Sequence, residues 1–263
     1  MNNLKYKEFL NRRHSSFKIA GGKYKWWGVD SEENFKNNID KLGFYVDNPI
    51  EYNINRHLFR CEFDFDKNAE GMDVDIAVGC SHTFGTGHLL ENTWPYIVSK
   101  HTGRKVINLG CPGHGVETAY INLKKYIEFF NVKNVFHYQP IYSRYYVYDG
   151  IHNSFILTTE TSNFNKASWS EEYIKTWLIS DELILHNHYK LVDACKGVCS
   201  FNNINYLHLN DIPSNGVFDI SKGIASGYWR VTSEIESDIV ARDLFHYTVA
   251  GMKEIANKFI YKL

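Results

Sequence analysis

The feature that most constrains the fold is an alternation of apolar and amphipathic segments that begins at Val74 and continues to the end of the chain. The apolar segments have the length and residue types of buried strands and read VDIAVGC, KVINLG, NVKNVFHYQ and NINYLHL. Between them lie stretches with apolar residues at helical spacing, such as GVETAYINLKKYIEFF. Strands that alternate with helices form a parallel sheet covered by helices. The pattern therefore predicts an α/β domain over residues 71–263.

Proline, glycine and capping residues set the expected bounds of the helices. Pro95 lies in the first turn of the segment ENTWPYIVSKHTG, and Gly103 is expected to end that helix. Ser170 precedes two glutamates and introduces a long helical segment. A last helix is expected from about Thr248.

The first 70 residues differ from the rest of the chain in composition. They are rich in Lys, Asn and aromatic residues, and the pieces EYNIN and FRCEFDFD alternate enough to form short strands. Trp26 and Trp27 are expected to anchor this segment, although two tryptophans can also form a platform on which a sugar ring stacks. We predict an N-terminal extension over residues 1–70 that packs on the main domain.

Composition argues against several classes of partner. The 263 residues carry a formal net charge of -1, so no general attraction to nucleic acid or to anionic membranes is expected. The chain shows no apolar signal segment and no apolar run of about 18 residues, which predicts a cytoplasmic protein without membrane insertion. The five cysteines are expected to be free thiols, and His186 and His188 lack the i, i+4 spacing of helical metal ligands. No metal and no cofactor is expected, and the oligomeric state stays open.

A candidate nucleophile follows the first strand of the alternating pattern. The segment GCSHTFG places the hydroxyl of Ser81 at the apex of a turn between two glycines. Small residues let the backbone bend sharply, and a serine at the carboxyl end of a parallel strand lies at the edge of the sheet where ligands bind. The alternative is a turn serine that caps the next helix.

A serine nucleophile needs an imidazole base and a group that orients the base. The segment DLFH places Asp243 three residues before His246, so that one turn can bring the carboxylate to Nδ1 and leave Nε2 free. The alternative is a capping or core histidine beside an ordinary carboxylate at a helix N-terminus. The pattern predicts a catalytic triad of Ser81, His246 and Asp243.

These segments resemble the sequence blocks of the SGNH (GDSL-like) hydrolases, in the family's order and over roughly residues 72–263. GCSHTFG is similar to the first block, G-D-S-x-S-x-G, with Cys80 in place of the usual Asp, and the pair Trp94-Pro95 follows it. NLGCPGHG resembles the second block and ARDLFHYTVAGMKEIA the last. The resemblance implies a three-layer α/β/α, flavodoxin-like parallel sheet of about five strands and a serine esterase with Ser81 as nucleophile.

The resemblance also implies an oxyanion hole that contains the N–H groups of Ser81 and Gly113. The third block departs from the family, because the stretch FHYQPIYSRYY lacks the asparagine that serves as an oxyanion donor. Gln139 is the first candidate for the missing donor, and the polar groups of Tyr142 and Ser143 are alternatives. The side chains expected to line the substrate site are His82, His88, Tyr142, Ser143 and Arg144.

Three functions follow from these residues. The first is hydrolysis of a carboxylic ester, an O-acyl or O-acetyl group on a carbohydrate or another small acyl ester, through an acyl-enzyme. The second is transfer of the same acyl group to a hydroxyl acceptor, which the aromatic segment 141–168, expected as a long loop or insertion, would favour if it excluded water. The third is a binding or structural protein without turnover, since a fold alone does not establish activity.

Overall fold

The computed structural model describes residues 21–139, 146–149, 154–157, 181–210 and 239–263. Its secondary structure alternates as the sequence pattern predicts. In chain order the elements are β1 (Gly22–Tyr24), α1 (Glu32–Asn37), α2 (Phe44–Asp47), β2 (Tyr52–Ile54), β3 (Asp73–Val78), α3 (Ser81–Phe84), a 3₁₀ turn (Leu90–Asn92), α4 (Trp94–Thr102), β4 (Lys105–Asn108), α5 (Val116–Tyr126), β5 (Asn131–Tyr138), β6 (Tyr146–Asp149), β7 (Ser154–Leu157), α6 (Asp181–Phe201), β8 (Asn205–Leu209) and α7 (Val249–Tyr261).

Four parallel strands form the central sheet in the order β4-β3-β5-β8. Ala77 of β3 pairs with Asn108 on one side and with Phe136 on the other. The chain therefore winds outward from β3 in both directions, and the carboxyl ends of all four strands meet at one edge of the sheet. This arrangement confirms the predicted α/β class, and the described part of the chain supplies four of the roughly five strands expected.

Helices cover both faces of this sheet. On one face, α5 and α6 bury residues such as Leu123 and Cys195 against Ile76. On the other face, α4 and α7 bury Trp94 and Phe259, whose ring centroids are 4.9 Å apart. The two apolar clusters make the three-layer α/β/α architecture that the resemblance implied.

The helix bounds follow the predicted caps closely. Pro95 lies in the first turn of α4, and Gly103 ends that helix in the left-handed conformation at φ +67°. Thr248 caps α7, since its side-chain oxygen accepts a hydrogen bond from the N–H of Gly251. The start predicted for the long helix at Ser170 lies outside the described residues, where α6 is described from Asp181. None of the helices in the described ranges is both long and apolar enough to cross a membrane.

The described part of the N-terminal extension packs around α3 with an apolar cluster of its own. Strands β1 and β2 pair antiparallel, and the ring of Trp27 stacks on Phe84 at a centroid distance of 5.7 Å. The guanidinium of Arg242 lies 4.0 Å from the ring centroid of Trp26. Both tryptophans thus contact the main domain, as the anchoring hypothesis predicts. The boundary at residue 70 stays a prediction.

One expectation about local structure was wrong. The segment FRCEFDFD forms no strand, and Arg60 makes only an isolated bridge to Ile54. Its alternation arises because Phe59 and Phe65 are buried in the core of the main domain. The segment 141–168, expected as a long loop or insertion, contains the antiparallel pair β6 and β7. The rest of that segment lies outside the described residues.

Candidate active site

Ser81 begins α3 directly after the turn that ends β3. A side chain on Gly79 could not fit in this turn, because its Cβ would lie 2.2 Å from the Thr83 hydroxyl oxygen and 2.5 Å from the Tyr138 carbonyl oxygen. Glycine at position 79 allows the chain to bend sharply at the carboxyl edge of the sheet. Ser81 lies half-buried at this edge. The Ser81 hydroxyl lies 4.0 Å from the Cys80 sulfur.

The helix-capping alternative for Ser81 is not observed. The N-cap residue of α3 is Cys80, and no side chain donates or accepts a capping hydrogen bond there. Within the described part of the chain, the backbone N–H of Ser81 has no hydrogen-bond acceptor. Among the described residues, the Ser81 hydroxyl therefore contacts only the Cys80 sulfur and the Ser81 N–H has no acceptor.

Asp243 and His246 form a hydrogen-bonded pair. The Nδ1 atom of His246 lies 2.5 Å from Oδ2 of Asp243. The other carboxylate oxygen accepts hydrogen bonds from the backbone N–H groups of Phe245 at 3.2 Å and of His246 at 3.3 Å. Because the buried carboxylate accepts a hydrogen bond, Nδ1 must carry the proton of the neutral ring, which makes Nε2 an acceptor.

The structure brings this pair to the segment that carries Ser81. The ring of His82 lies 4.8 Å from the ring of His246, centroid to centroid. Arg242 donates its backbone N–H to the carbonyl of Gly87 at 2.8 Å. No hydrogen bond joins the Ser81 hydroxyl to His246 within the described residues. In unliganded enzymes such bonds are often long and tighten when substrate binds.

The candidate oxyanion donors lie after three neighbouring strands. Gly113 follows β4, and its N–H has no acceptor within the described ranges. Gln139 follows β5, and its backbone N–H donates to the carbonyl of Leu209 at 3.0 Å. Its side chain is only 5% exposed, and both amide atoms lack hydrogen-bond partners among the residues described. A buried amide without partners is costly, so it requires an explanation such as a bound water or a ligand.

The structure describes two of the five side chains that were expected to line the substrate site. His82 is buried against Tyr247 at a centroid distance of 4.4 Å, next to His246. His88 is completely buried, so it offers no surface to a substrate in this structure. Burial and, after it, the neighbouring His246 lower the pKa of His88 to about 4. Tyr142, Ser143 and Arg144 lie outside the described residues.

A buried polar network beside the pair was not predicted from the sequence. Arg242 binds Asp30 through two hydrogen bonds of 2.8 and 2.6 Å, and Tyr52 donates its hydroxyl to the same carboxylate. Arg60 donates to the carbonyl oxygens of Gly85 at 2.6 Å and of His88 at 2.9 Å, and burial lowers its pKa to about 10. The residues involved are far apart in sequence, so no local pattern signals the network.

A second group of histidines comes from β5, β8 and α6. His137 and His208 are paired in register, and the pKa values of His137, His188 and His208 are lowered, chiefly by burial. His137 Nδ1 lies 2.6 Å from the hydroxyl of Tyr206. No three His, Cys, Asp or Glu side chains among the described residues are grouped so as to hold a metal ion.

Comparison with known proteins adds a likeness in structure. Two solved structures similar to this chain are lipolytic proteins of the G-D-S-L family. The protein from Desulfitobacterium hafniense is 15% identical, with 73% of this chain and 100% of that chain covered and a TM-score of 0.34. The protein from Veillonella parvula is 12% identical, with 73% and 97% covered and a TM-score of 0.31. No protein-family model and no curated protein matches this chain. At these values the likeness carries no weight for activity, so the functional case rests on the site.

Proposed function

We propose that this protein is a serine hydrolase that cleaves a carboxylic ester through Ser81, His246 and Asp243. The observation that carries the proposal is the 2.5 Å contact between Asp243 and Nδ1 of His246, which directs Nε2 away from the carboxylate. A carboxylate that holds the imidazole in this tautomer prepares it to act as a general base. The alternation of strands and helices supports the same proposal, because it brings Ser81 to the edge of the sheet where ligands bind.

In the proposed reaction, Nε2 of His246 takes the proton from the Ser81 hydroxyl as its oxygen attacks the ester carbonyl carbon. The tetrahedral intermediate then breaks its bond to the alcohol, which leaves with the proton held by His246. Nε2 then takes a proton from a water molecule as the water oxygen attacks the acyl carbonyl carbon. The bond from that carbon to the Ser81 oxygen breaks, the serine oxygen recovers the proton from His246, and the acid is released. Asp243 stays ionised and stabilises the imidazolium in both steps.

The negative oxygen of each intermediate needs fixed donors. We assign this task to the N–H groups of Ser81 and Gly113, which have no acceptor in the described part of the chain, and to the side-chain amide of Gln139. The unpaired, buried amide supports the inclusion of Gln139, since an oxyanion would supply its missing acceptor. The substrate class we propose is an O-acyl ester of a carbohydrate or another small acyl ester.

Hydrolysis of a panel of acetyl and butyryl esters of sugars and of p-nitrophenol tests this function. Ser81→Ala and His246→Ala should each abolish turnover, because nucleophile and base act as a unit. Ser200→Ala and His101→Ala, which change exposed residues on α6 and α4, are the matched controls and should keep full activity. Full turnover by Ser81→Ala would overturn the assignment. A folded wild type that turns over none of the esters would instead favour a binding protein, and acylation of an added sugar hydroxyl in place of water would favour transfer.

A further inference from the structure

The segment that carries Ser81 (residues 79–88) meets the segment that carries Asp243 and His246 (residues 240–246) at Gly87. The carbonyl of Gly87 accepts the backbone N–H of Arg242 at 2.8 Å. A Cβ atom on Gly87 would lie 2.9 Å from Oδ1 of Asp243, so the backbone of one segment packs directly against the carboxylate of the other. Whatever fixes the position of Gly87 therefore also fixes the position of Asp243.

Buried side chains of the N-terminal extension bind this meeting point. The hydroxyl of Tyr52 accepts the N–H of Gly87 at 2.9 Å and donates its own proton to Asp30. Asp30 in turn accepts two hydrogen bonds from Arg242, the residue next to Asp243. A continuous chain of hydrogen bonds thus runs from the Ser81 segment to the Asp243 segment through two residues of the extension.

Tyr45 links the same two segments a second time. Its hydroxyl oxygen lies 2.7 Å from the carbonyl oxygen of Val240 and 3.1 Å from that of Gly87, so its single proton is shared between them. Asn34 adds a contact at the catalytic residue itself, because its side-chain amide donates to the carbonyl oxygen of Asp243 at 2.9 Å. Tyr45, Tyr52 and Asp30 are each at most 3% exposed.

Such a network is better suited to fixing geometry than to adding stability. A buried ion pair contributes little net free energy of folding, because the loss of hydration offsets much of the attraction. Its directional hydrogen bonds nevertheless hold two backbone segments at a defined distance. A base displaced by about 1 Å can lose about a hundredfold in rate, so defined placement of His246 is valuable to catalysis.

We propose that the N-terminal extension is a positioning part of the active site, in which Asp30, Tyr45 and Tyr52 set the place of the Asp243–His246 pair relative to Ser81. This inference rests on the proposed function of Ser81, His246 and Asp243. The positioning residues touch neither substrate nor the reacting atoms. They act through Gly87 and through residues 240–243.

The test compares Tyr45→Phe with Tyr126→Phe. Each variant removes one hydroxyl from a buried tyrosine, but Tyr126 packs in the apolar cluster on the α5–α6 face of the sheet, where its hydroxyl lies 3.3 Å from Nδ1 of His57. The rate at which a fluorophosphonate labels Ser81 is measured for both, at a temperature where urea unfolding shows both to be folded. Tyr45→Phe should slow labelling about tenfold, and Tyr126→Phe should leave the rate unchanged.

The same pair of variants in a His246→Ala background separates positioning from a general loss of order. If Tyr45 acts through His246, Tyr45→Phe should slow the residual labelling no further once the imidazole is gone. Equal labelling by Tyr45→Phe and wild type, or an equal slowing in both backgrounds, would overturn the inference. A wrong proposed function would give a different result from a wrong positioning inference. In that case the wild-type protein would not be labelled at Ser81, or it would be labelled equally fast after His246 is removed.

Discussion

Replacing Gly87 by alanine should disturb the proposed catalytic pair more than any other small change near it. The backbone of Gly87 has φ +76°, in the left-handed region that residues with a side chain rarely adopt. The new methyl group would lie 2.9 Å from Oδ1 of Asp243, 3.1 Å from the nitrogen of Arg242 and 3.2 Å from Cβ of Ala241. The substitution thus adds backbone strain and pushes on the carboxylate that orients His246.

The two effects have different sizes and different targets. A non-glycine residue in the left-handed region costs about 1–2 kcal/mol of folding free energy. Carbon–oxygen contacts are normally about 3.3–3.6 Å, so Asp243 must move by roughly 0.4–0.7 Å to make room. Because about 1 Å of misplacement can cost about a hundredfold in rate, we expect Gly87→Ala to lower kcat about tenfold.

Gly103→Ala is the control that separates strain from displacement. Gly103 has a similar φ of +67°, but no atom lies within 4 Å of the position its Cβ would take. Gly103→Ala should lose stability in urea unfolding through strain alone and Gly87→Ala should lose more, because its methyl group also meets packed atoms. Gly87→Ala alone should lose activity on the best ester substrate. Equal activity of the two variants would show that Asp243 does not depend on its contact with Gly87.

Two further predictions concern the oxyanion hole and pH. Gln139→Ala should lower kcat by about 10²–10³ with little change in KM, because a donor aimed at the oxyanion acts only on the charge that develops there. Measuring kcat and the melting temperature of the variant checks this prediction. A stable and fully active variant would exclude Gln139 from the oxyanion hole. Stability should fall as the pH drops from about 6.5 towards about 4, because burial lowers the pKa of His88 and His188 to about 4 and the unfolded chain binds protons that the folded chain does not. The urea midpoints at about pH 7 and pH 5 measure this loss of stability. His188→Leu should make the loss smaller. Equal midpoints at the two pH values would show that these histidines are hydrated in the folded protein.

The elements that sequence predicted well are those controlled by nearby residues. The helix α4 ends at Gly103 because glycine adopts φ +67° without strain, and α7 starts where the Thr248 side chain can cap it. The Asp243–His246 contact is similarly local, since three residues of chain suffice to bring Nδ1 to the carboxylate. Local chemistry of this kind can be read without knowledge of the rest of the fold.

The features that sequence did not predict depend on contacts between distant segments. Nothing around Tyr45 or Tyr52 indicates that their hydroxyls reach Gly87, because their partners are set by how the extension packs on α3. The phenylalanines of FRCEFDFD alternate like those of a strand, yet burial of Phe59 and Phe65 in the main core accounts for the pattern. Burial alone produces the same periodicity as strand pairing, so alternation could not distinguish the two.

The most direct test of the account is the site at which a fluorophosphonate probe reacts with the folded protein. The probe reacts much faster with a serine that an adjacent base has activated, so its rate of reaction measures the Ser81–His246 relation itself. We predict one adduct per chain, located at Ser81 by peptide mass spectrometry and formed about 10²–10⁴ times more slowly in His246→Ala. An adduct at another serine, or no adduct on a protein that is shown to be folded, would contradict the assignment of this site as a serine hydrolase.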